Sequence, residues 1–312
     1  MAEPLLSVKS LRVDYEDITA VDDVSFQVEA GMVYGLIGPN GAGKTSIIRV
    51  IATLLQPTYG QVRVCDIDLL SEPLRALHHL GFMPDMPPLY DDLYVEEFLQ
   101  LFASAYGLDG AARTKRIDEL LDKVQLGDKR RTPAGELSRG MKQRLFLAKT
   151  LLHDPKVLLL DEPASGLDPR ARLDLRDVIV ELGRAGKAVV VSSHILAEMA
   201  DFCNSVGIME RGKMLLSGRI DDILKQLRPG LLLRVRLLTA DDRLGATLTA
   251  IPSVSEVEVE GSQATFKLAG DGEAAAAVLR ELVHKDFRLT EYREMTSNLQ
   301  DIFLQVSTGR VS

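Results

Sequence analysis

The octapeptide Gly38-Pro39-Asn40-Gly41-Ala42-Gly43-Lys44-Thr45 restricts this chain more than any other stretch. It follows the pattern GxxxxGK[ST], which has its meaning only between a strand that enters it and a helix that leaves it. Both flanks are present. Met32-Val33-Tyr34-Gly35-Leu36-Ile37 is an apolar run of strand length, and Ser46-Ile47-Ile48-Arg49-Val50-Ile51 reads as the first turns of a helix. A loop so placed aims consecutive backbone N–H groups at one point, at the positive end of a helix. Gly38, Gly41 and Gly43 admit backbone conformations and close approaches that a side chain blocks. Lys44 can then reach the β- and γ-phosphates of a nucleotide, and the Thr45 hydroxyl can ligate Mg²⁺. The loop and Ser46 after it are the expected nucleotide contacts.

The bulk of the chain excludes several alternatives. At 312 residues it is long enough for one large and one small domain. Its net charge of −8 speaks against a broad nucleic-acid-binding face. No run approaches the ~18 apolar residues of a membrane span. The start, Met1-Ala2-Glu3-Pro4, lacks the basic-then-apolar layout of a signal peptide. A cytoplasmic protein is expected, with any membrane role arising through a partner. Cys65 and Cys203 are far apart and read as reduced thiols. His78, His79, His153, His194 and His284 form no metal-binding motif.

Periodicity divides the chain further. Leu6-Val8-Leu11-Val13 and Val24-Phe26-Val28 alternate with polar positions, as half-buried strands do. The turn Pro57-Thr58-Tyr59-Gly60 leads into a strand at 61–64. Helical spacing then takes over: Val95, Phe98, Leu99, Phe102 and Tyr106, followed by Ile117, Leu120, Leu121 and Val124. A third helix is expected from Ser138, with Met141, Leu145, Ala148 and Leu152 on one face. Val157-Leu158-Leu159-Leu160-Asp161 resumes as a buried parallel strand. A helix opens at Pro169, a favoured first-turn position. Strands follow at 187–192 and 206–209, with a turn at Arg211-Gly212. Alternation of strands and helices predicts an α/β fold with a mainly parallel sheet. After a break at Arg228-Pro229-Gly230, alternation at 233–237 and 256–260 and helical spacing at 275–282 predict a small α+β domain. The expected boundaries are 1–225 and 226–312, with an inserted helical subdomain at about 86–155.

Two further features belong with the loop. Asp161 ends a buried strand, where parallel sheets bind ligands, and suits the outer shell of Mg²⁺. Glu162 points elsewhere and can act as general base toward water. Ser138 is a good N-cap, and with Gly140 it makes a second anion-accepting helix start. One nucleotide needs no second such start unless two close on it from opposite sides.

These residues, in this order, resemble the ATP-binding-cassette (ABC) transporter ATPase subunits over about residues 5–225. The signature LSGGQ of that family stands here as Leu137-Ser138-Arg139-Gly140-Met141. Its Walker B strand with the catalytic glutamate matches 157–162, and its D-loop matches Ser165-Gly166-Leu167-Asp168. The switch histidine matches His194, and the adenine-stacking aromatic matches Tyr15. The resemblance implies a P-loop NTPase fold of the ABC type and a head-to-tail pair in which each signature covers the other subunit's γ-phosphate. Arg139 and Met141 depart from the pattern, and Asp85 stands where the family has the Q-loop glutamine. Asp85 is expected to sense Mg²⁺ or its neighbouring water. Asp91-Asp92-Leu93-Tyr94-Val95-Glu96-Glu97 and the closing stretch 295–304 are similar to subunits serving exporters of the drug, antibiotic and polysaccharide type.

The implied protein is an ATPase that binds ATP and Mg²⁺, dimerises, and drives a separate membrane permease docked in a groove around residues 82–106. Lys44, His194 and Glu162 are its expected catalytic residues, and Asp168 is an expected contact. Two rivals share the loop. A non-transport ABC ATPase of the translation or repair type would carry a second cassette or a long coiled coil, and this chain has neither. A GTPase would carry an Asn-Lys-x-Asp motif, which is absent, and a small-molecule kinase would not need 137–144.

Overall fold

A computed structural model describes residues 3–86, 88–195, 199, 202–227 and 230–295. The chain divides into two compact units, Met1–Ile220 and Asp221–Ser312. The first unit ends where its last strand ends, against a break expected after residue 225. That strand stays paired with its neighbour through Arg219, and the Ile220 N–H donates to the Asn204 carbonyl.

The first unit contains two sheets. Strands β1 (Leu6–Tyr15), β2 (Ile18–Val28), β4 (Tyr59–Val64) and β5 (Ile67–Asp68) form an antiparallel sheet in the order β2-β1-β4-β5. The second sheet holds β3 (Val33–Ile37), β6 (Leu80–Met83), β7 (Val157–Leu160), β8 (Ala188–Ser193), β9 (Ser205–Glu210) and β10 (Lys213–Arg219), in the order β10-β9-β3-β8-β7-β6. All its pairings are parallel except that of the edge strand β10 with β9. Every residue of β3, β7 and β8 is buried, as expected of strands covered on both faces. One core joins the sheets, with Leu6, Leu11 and Val24 from the first and Tyr34, Leu159 and Val190 from the second.

Parallel alignment brings the carboxyl ends of β3, β7 and β8 to one edge, the place where such sheets bind ligands. Helix α1 (Lys44–Ile51) leaves the β3 end, and α2 (Pro73–Leu77) precedes β6. Between β6 and β7 lie α3 (Val95–Ala105), α4 (Gly110–Lys123) and α5 (Arg139–Thr150), the expected helical insertion. Phe98 is its centre, packed edge-on against Phe102 at 5.0 Å and tilted against Phe146 at 6.5 Å. Helix α6 (Pro169–Arg184) follows β7 and opens on Pro169, as expected.

Helix α7 (Ile220–Leu227) runs from the last residue of the first unit into the second. The second unit then contains β11 (Leu231–Leu237), α8 (Arg243–Thr249), β12 (Val254–Glu260), β13 (Gln263–Leu268), α9 (Gly272–His284) and β14 (Leu289–Glu294). Its antiparallel sheet has the order β12-β13-β11-β14. Leu233, Val235, Phe266 and Leu268 of the sheet pack with Leu244, Leu248, Val278 and Leu282 of the helices. This is the expected α+β domain. Of the closing stretch that suggested an export subtype, residues 296–304 lie outside the described residues. Among the described residues no helix is long and apolar enough to cross a membrane.

Candidate nucleotide-binding site

The loop from Gly38 to Thr45 joins β3 to α1, and its glycines have different tasks. Gly41 and Gly43 have φ of 79° and 101°, in the left-handed region that favours glycine. A Cβ on Gly38 would run into the Met209 carbonyl oxygen, and one on Gly43 into that of Ala20. At these two positions the close approach is made by the protein's own neighbouring backbone. The loop is thus seated on β2 and β9, and the Gly38 N–H donates to the Ser193 carbonyl at the end of β8.

Lys44 is buried within the loop. Its Nζ donates to the carbonyls of Gly38 (2.7 Å) and Pro39 (3.2 Å) and lies 3.6 Å from Glu162 Oε1. Burial pushes its pKa down, and the nearby carboxylates of Glu162 and Asp161 oppose that. A cation held mainly by carbonyls is one that an anionic ligand can recruit at small cost in reorganisation.

The end of β7 carries both acids. Asp161 Oδ1 accepts from Ser192 Oγ at 2.6 Å and from Thr45 Oγ1 at 3.3 Å. Ser192 Oγ in turn accepts from the Glu162 N–H at 2.8 Å. This hydroxyl on β8 therefore orients both carboxylate-bearing residues. Glu162 has φ of 47°, a region sparsely populated by residues with a side chain, and turns its carboxylate to His194 Nδ1, 2.9 Å away. His194 stands immediately after β8, as expected.

Asn40 through Ser46, Asp85, Glu162 and His194 line one cleft of 710 Å³. Asp161 lies behind it through Thr45, and Gly38 and Pro39 supply the carbonyls that hold Lys44. Tyr15 ends β1 with its hydroxyl 3.3 Å from Ser46 Oγ, and its side chain is 40% exposed. Asp85 sends one oxygen, Oδ1, into the interior without a hydrogen-bond partner. Its backbone carbonyl accepts from Gln143 Nε2 of α5 at 3.2 Å.

Ser138, Gly140 and Asp168 do not line this cleft. Ser138 caps α5, accepting from the Met141 N–H at 3.3 Å, as expected of an N-cap. Gly140 is buried, and a Cβ there would press on Ala171 Cβ of α6, so its smallness serves helix packing. The Asp168 carboxylate caps α6, accepting from the N–H groups of Arg170 and Ala171 at 3.0 Å each. Sequence reasoning missed Ser192, Gln143 and the cleft residues Thr19 and Arg211, and it named Ser165 only as part of the D-loop match. The one available signal for Ser192 is a hydroxyl residue closing an otherwise apolar strand, opposite an acid that closes the next.

Comparison with known proteins decides the family. Residues 21–165 match the ABC transporter model, and residues 218–307 match the C-terminal domain of DrrA1-3-like ATP-binding proteins. An ABC transporter ATP-binding protein of Bacillus subtilis, YxlF, is 35% identical over 97% of this chain and 99% of its own length. The chain belongs to the ABC transporter ATP-binding proteins. Members of this family bind ATP, hydrolyse it to power transport and work with a membrane permease. The Nod factor export ATP-binding protein I of Ralstonia nicotianae is 32% identical over 98% of this chain and 94% of its own length. A solved ATP-binding subunit of an ABC transporter superposes with a TM-score of 0.65 at 34% identity, covering 72% of this chain and 93% of that one.

Proposed function

We propose that this chain is the ATP-hydrolysing subunit of an exporter, working as a head-to-tail homodimer on the cytoplasmic face of the membrane. The observation that carries the reading is the division of parts. Lys44, Glu162 and His194 converge on one cleft, while the capped helix start at Ser138 stands outside it. A second copy would bring its Ser138 over the phosphates held by the first. Export is supported by the named role of the Ralstonia relative and by the DrrA-like C-terminal match.

The donor set suits Mg²⁺. Among the described residues no cluster of three or more His, Cys, Asp or Glu is ready to hold a metal. Mg²⁺ commonly keeps waters and substrate phosphates and takes only one or two protein oxygens. Thr45 Oγ1 would hold it and Asp161 would support it from behind, while Asp85 lines the same cleft as a further carboxylate. Bound there, the ion would neutralise charge on the β- and γ-phosphates.

Glu162 accepts the proton of the attacking water, aimed in line at the γ-phosphorus. Lys44, drawn from the Gly38 and Pro39 carbonyls, and His194, drawn from Glu162, meet the charge on the transferring group. Tyr15 supports the adenine. Exposed side chains of the segment 82–106, Met86, Tyr90 and Tyr94 among them, would meet a permease segment. The test is light scattering of Glu162→Gln in saturating ATP. A dimer that dissociates when ATP is removed is expected, and a persistent monomer would overturn the reading.

A further inference from the structure

Arg139 is placed against the ordinary preferences of its position. It is the first residue of α5, directly after the Ser138 cap, where the helix dipole disfavours a cation. Its side-chain contact is with backbone, not with a carboxylate, and the family pattern has glycine there. Its guanidinium is instead laid on the backbone of Gly166. A Cβ on Gly166, whose φ is 67°, would overlap the Arg139 Nη1 and Cζ atoms. The next residue, Gly140, packs close to α6, where a Cβ on it would press on Ala171 Cβ. Through the Arg139 side chain the helix start lies directly against the loop at 165–168.

That loop leads back to the chemistry. The Ser165 N–H donates to the Glu162 carbonyl at 3.0 Å, and Ser165 lines the same cleft as Glu162 and His194. Leu167 is held at both backbone groups, its N–H by the Ala164 carbonyl (3.2 Å) and its carbonyl by Arg172 Nη2 (3.2 Å). A short, hydrogen-bonded turn thus connects Gly166 to a glutamate whose backbone is already in a sparsely populated region.

We infer that Arg139 is a positioning residue that ties the signature segment to the turn carrying Glu162, and so makes hydrolysis of one nucleotide depend on the seating of the other. This rests on the two-nucleotide dimer proposed above. Seating of Ser138 on the partner's nucleotide shifts the start of α5. Arg139 transmits the shift to Gly166, and Glu162 of the same subunit is aligned on its own nucleotide. Both nucleotides must then be bound before either is cleaved efficiently.

The experiment is ATP hydrolysis by the full chain across a range of ATP concentrations. The intact protein should show a sigmoidal curve with a Hill coefficient approaching the number of sites in the dimer, about 2. Arg139→Ala should bring it to about 1 and lower kcat by about tenfold, with half-saturating ATP changed by less than about twofold. Arg139→Lys keeps the charge but not the planar fork, and it should behave like the alanine variant. Gly166→Ala should lower kcat in the intact background and cost less in Arg139→Ala, where the guanidinium no longer occupies the space. An unchanged Hill coefficient and kcat in Arg139→Ala, or strictly additive costs in that pair, would overturn the inference. If Glu162→Gln alone remains monomeric in ATP, the dimer itself fails. If it dimerises and the Arg139 variants are silent, only the link fails.

Discussion

The two units of this chain bury different things. In the first, Lys44, Asp161, Gln143, Ser192 and Ser193 are buried, and Lys44, Asp161 and the two serines gather at the carboxyl edge of the parallel sheet. In the second, the described residues include no buried charged group. Several of its charges pair with one another at the surface, as Lys267 does with Glu256 and Arg236 with Glu291. Burying a charge is costly unless partners are provided, so where a protein does so repeatedly it is holding groups for use. By that measure the chemistry belongs to the first unit, and the second is built for packing and surface.

The sharpest way to break this contrast is Glu162→Gln. Its turnover should fall by about 10³-fold, the scale seen when a general base is lost, with ATP affinity largely kept. Lys267→Ala in the second unit should leave steady-state ATPase activity unchanged. Phe266→Ala comes next, since this ring is wholly buried in the second core. It should cost about 3–5 kcal/mol in denaturant unfolding of that unit. ATP affinity by equilibrium binding should not change, and a parallel loss of affinity would contradict the separation of roles. Ser192→Ala removes the hydroxyl that serves Asp161 and Glu162. A loss of about 1–3 kcal/mol in stability, with turnover reduced by about tenfold or more, is expected from urea melts and initial rates.

The smallest expected effect is one of pH. His153 donates through Nε2 to the Leu80 carbonyl, stacks on Tyr106 at 4.3 Å, and is held by burial below the ordinary imidazole range, the Leu80 carbonyl opposing. A folded value below the unfolded one means the unfolded chain takes up the proton first. Stability from this group is therefore full above the ordinary value of about 6.5 and declines as pH falls through it. The Tm should drop by a few degrees, about 2–4 °C, between about pH 7.5 and 5.5, and His153→Gln should flatten the decline.

What was legible in the sequence was what is local or continuous. The entering strand, glycine loop and helix lie in one stretch, and β7 and β8 announce themselves as unbroken apolar runs. The helical insertion and the α+β second unit followed from periodicity. The sequence placed Glu162 and His194 together only through the order of motifs, since their contact spans two strands. Ser192 stayed hidden because a hydroxyl at the end of a run of valines has no periodic mark. The edge strand β10 alternates between exposed and half-buried side chains, a weak signal for burial. The reason for glycine at 38 and 43 also needed the fold, because the backbone that fills the missing side chain comes from Met209 and Ala20.

Glu162 carries its carboxylate on a left-handed stretch of backbone. A glycine at that position would relax strain of about 1 kcal/mol while deleting the carboxylate. Thermal robustness and turnover therefore pull in opposite directions at this residue. Selection for heat resistance alone, with no demand for hydrolysis, should erode this position early, leaving a protein that is hardier and inert.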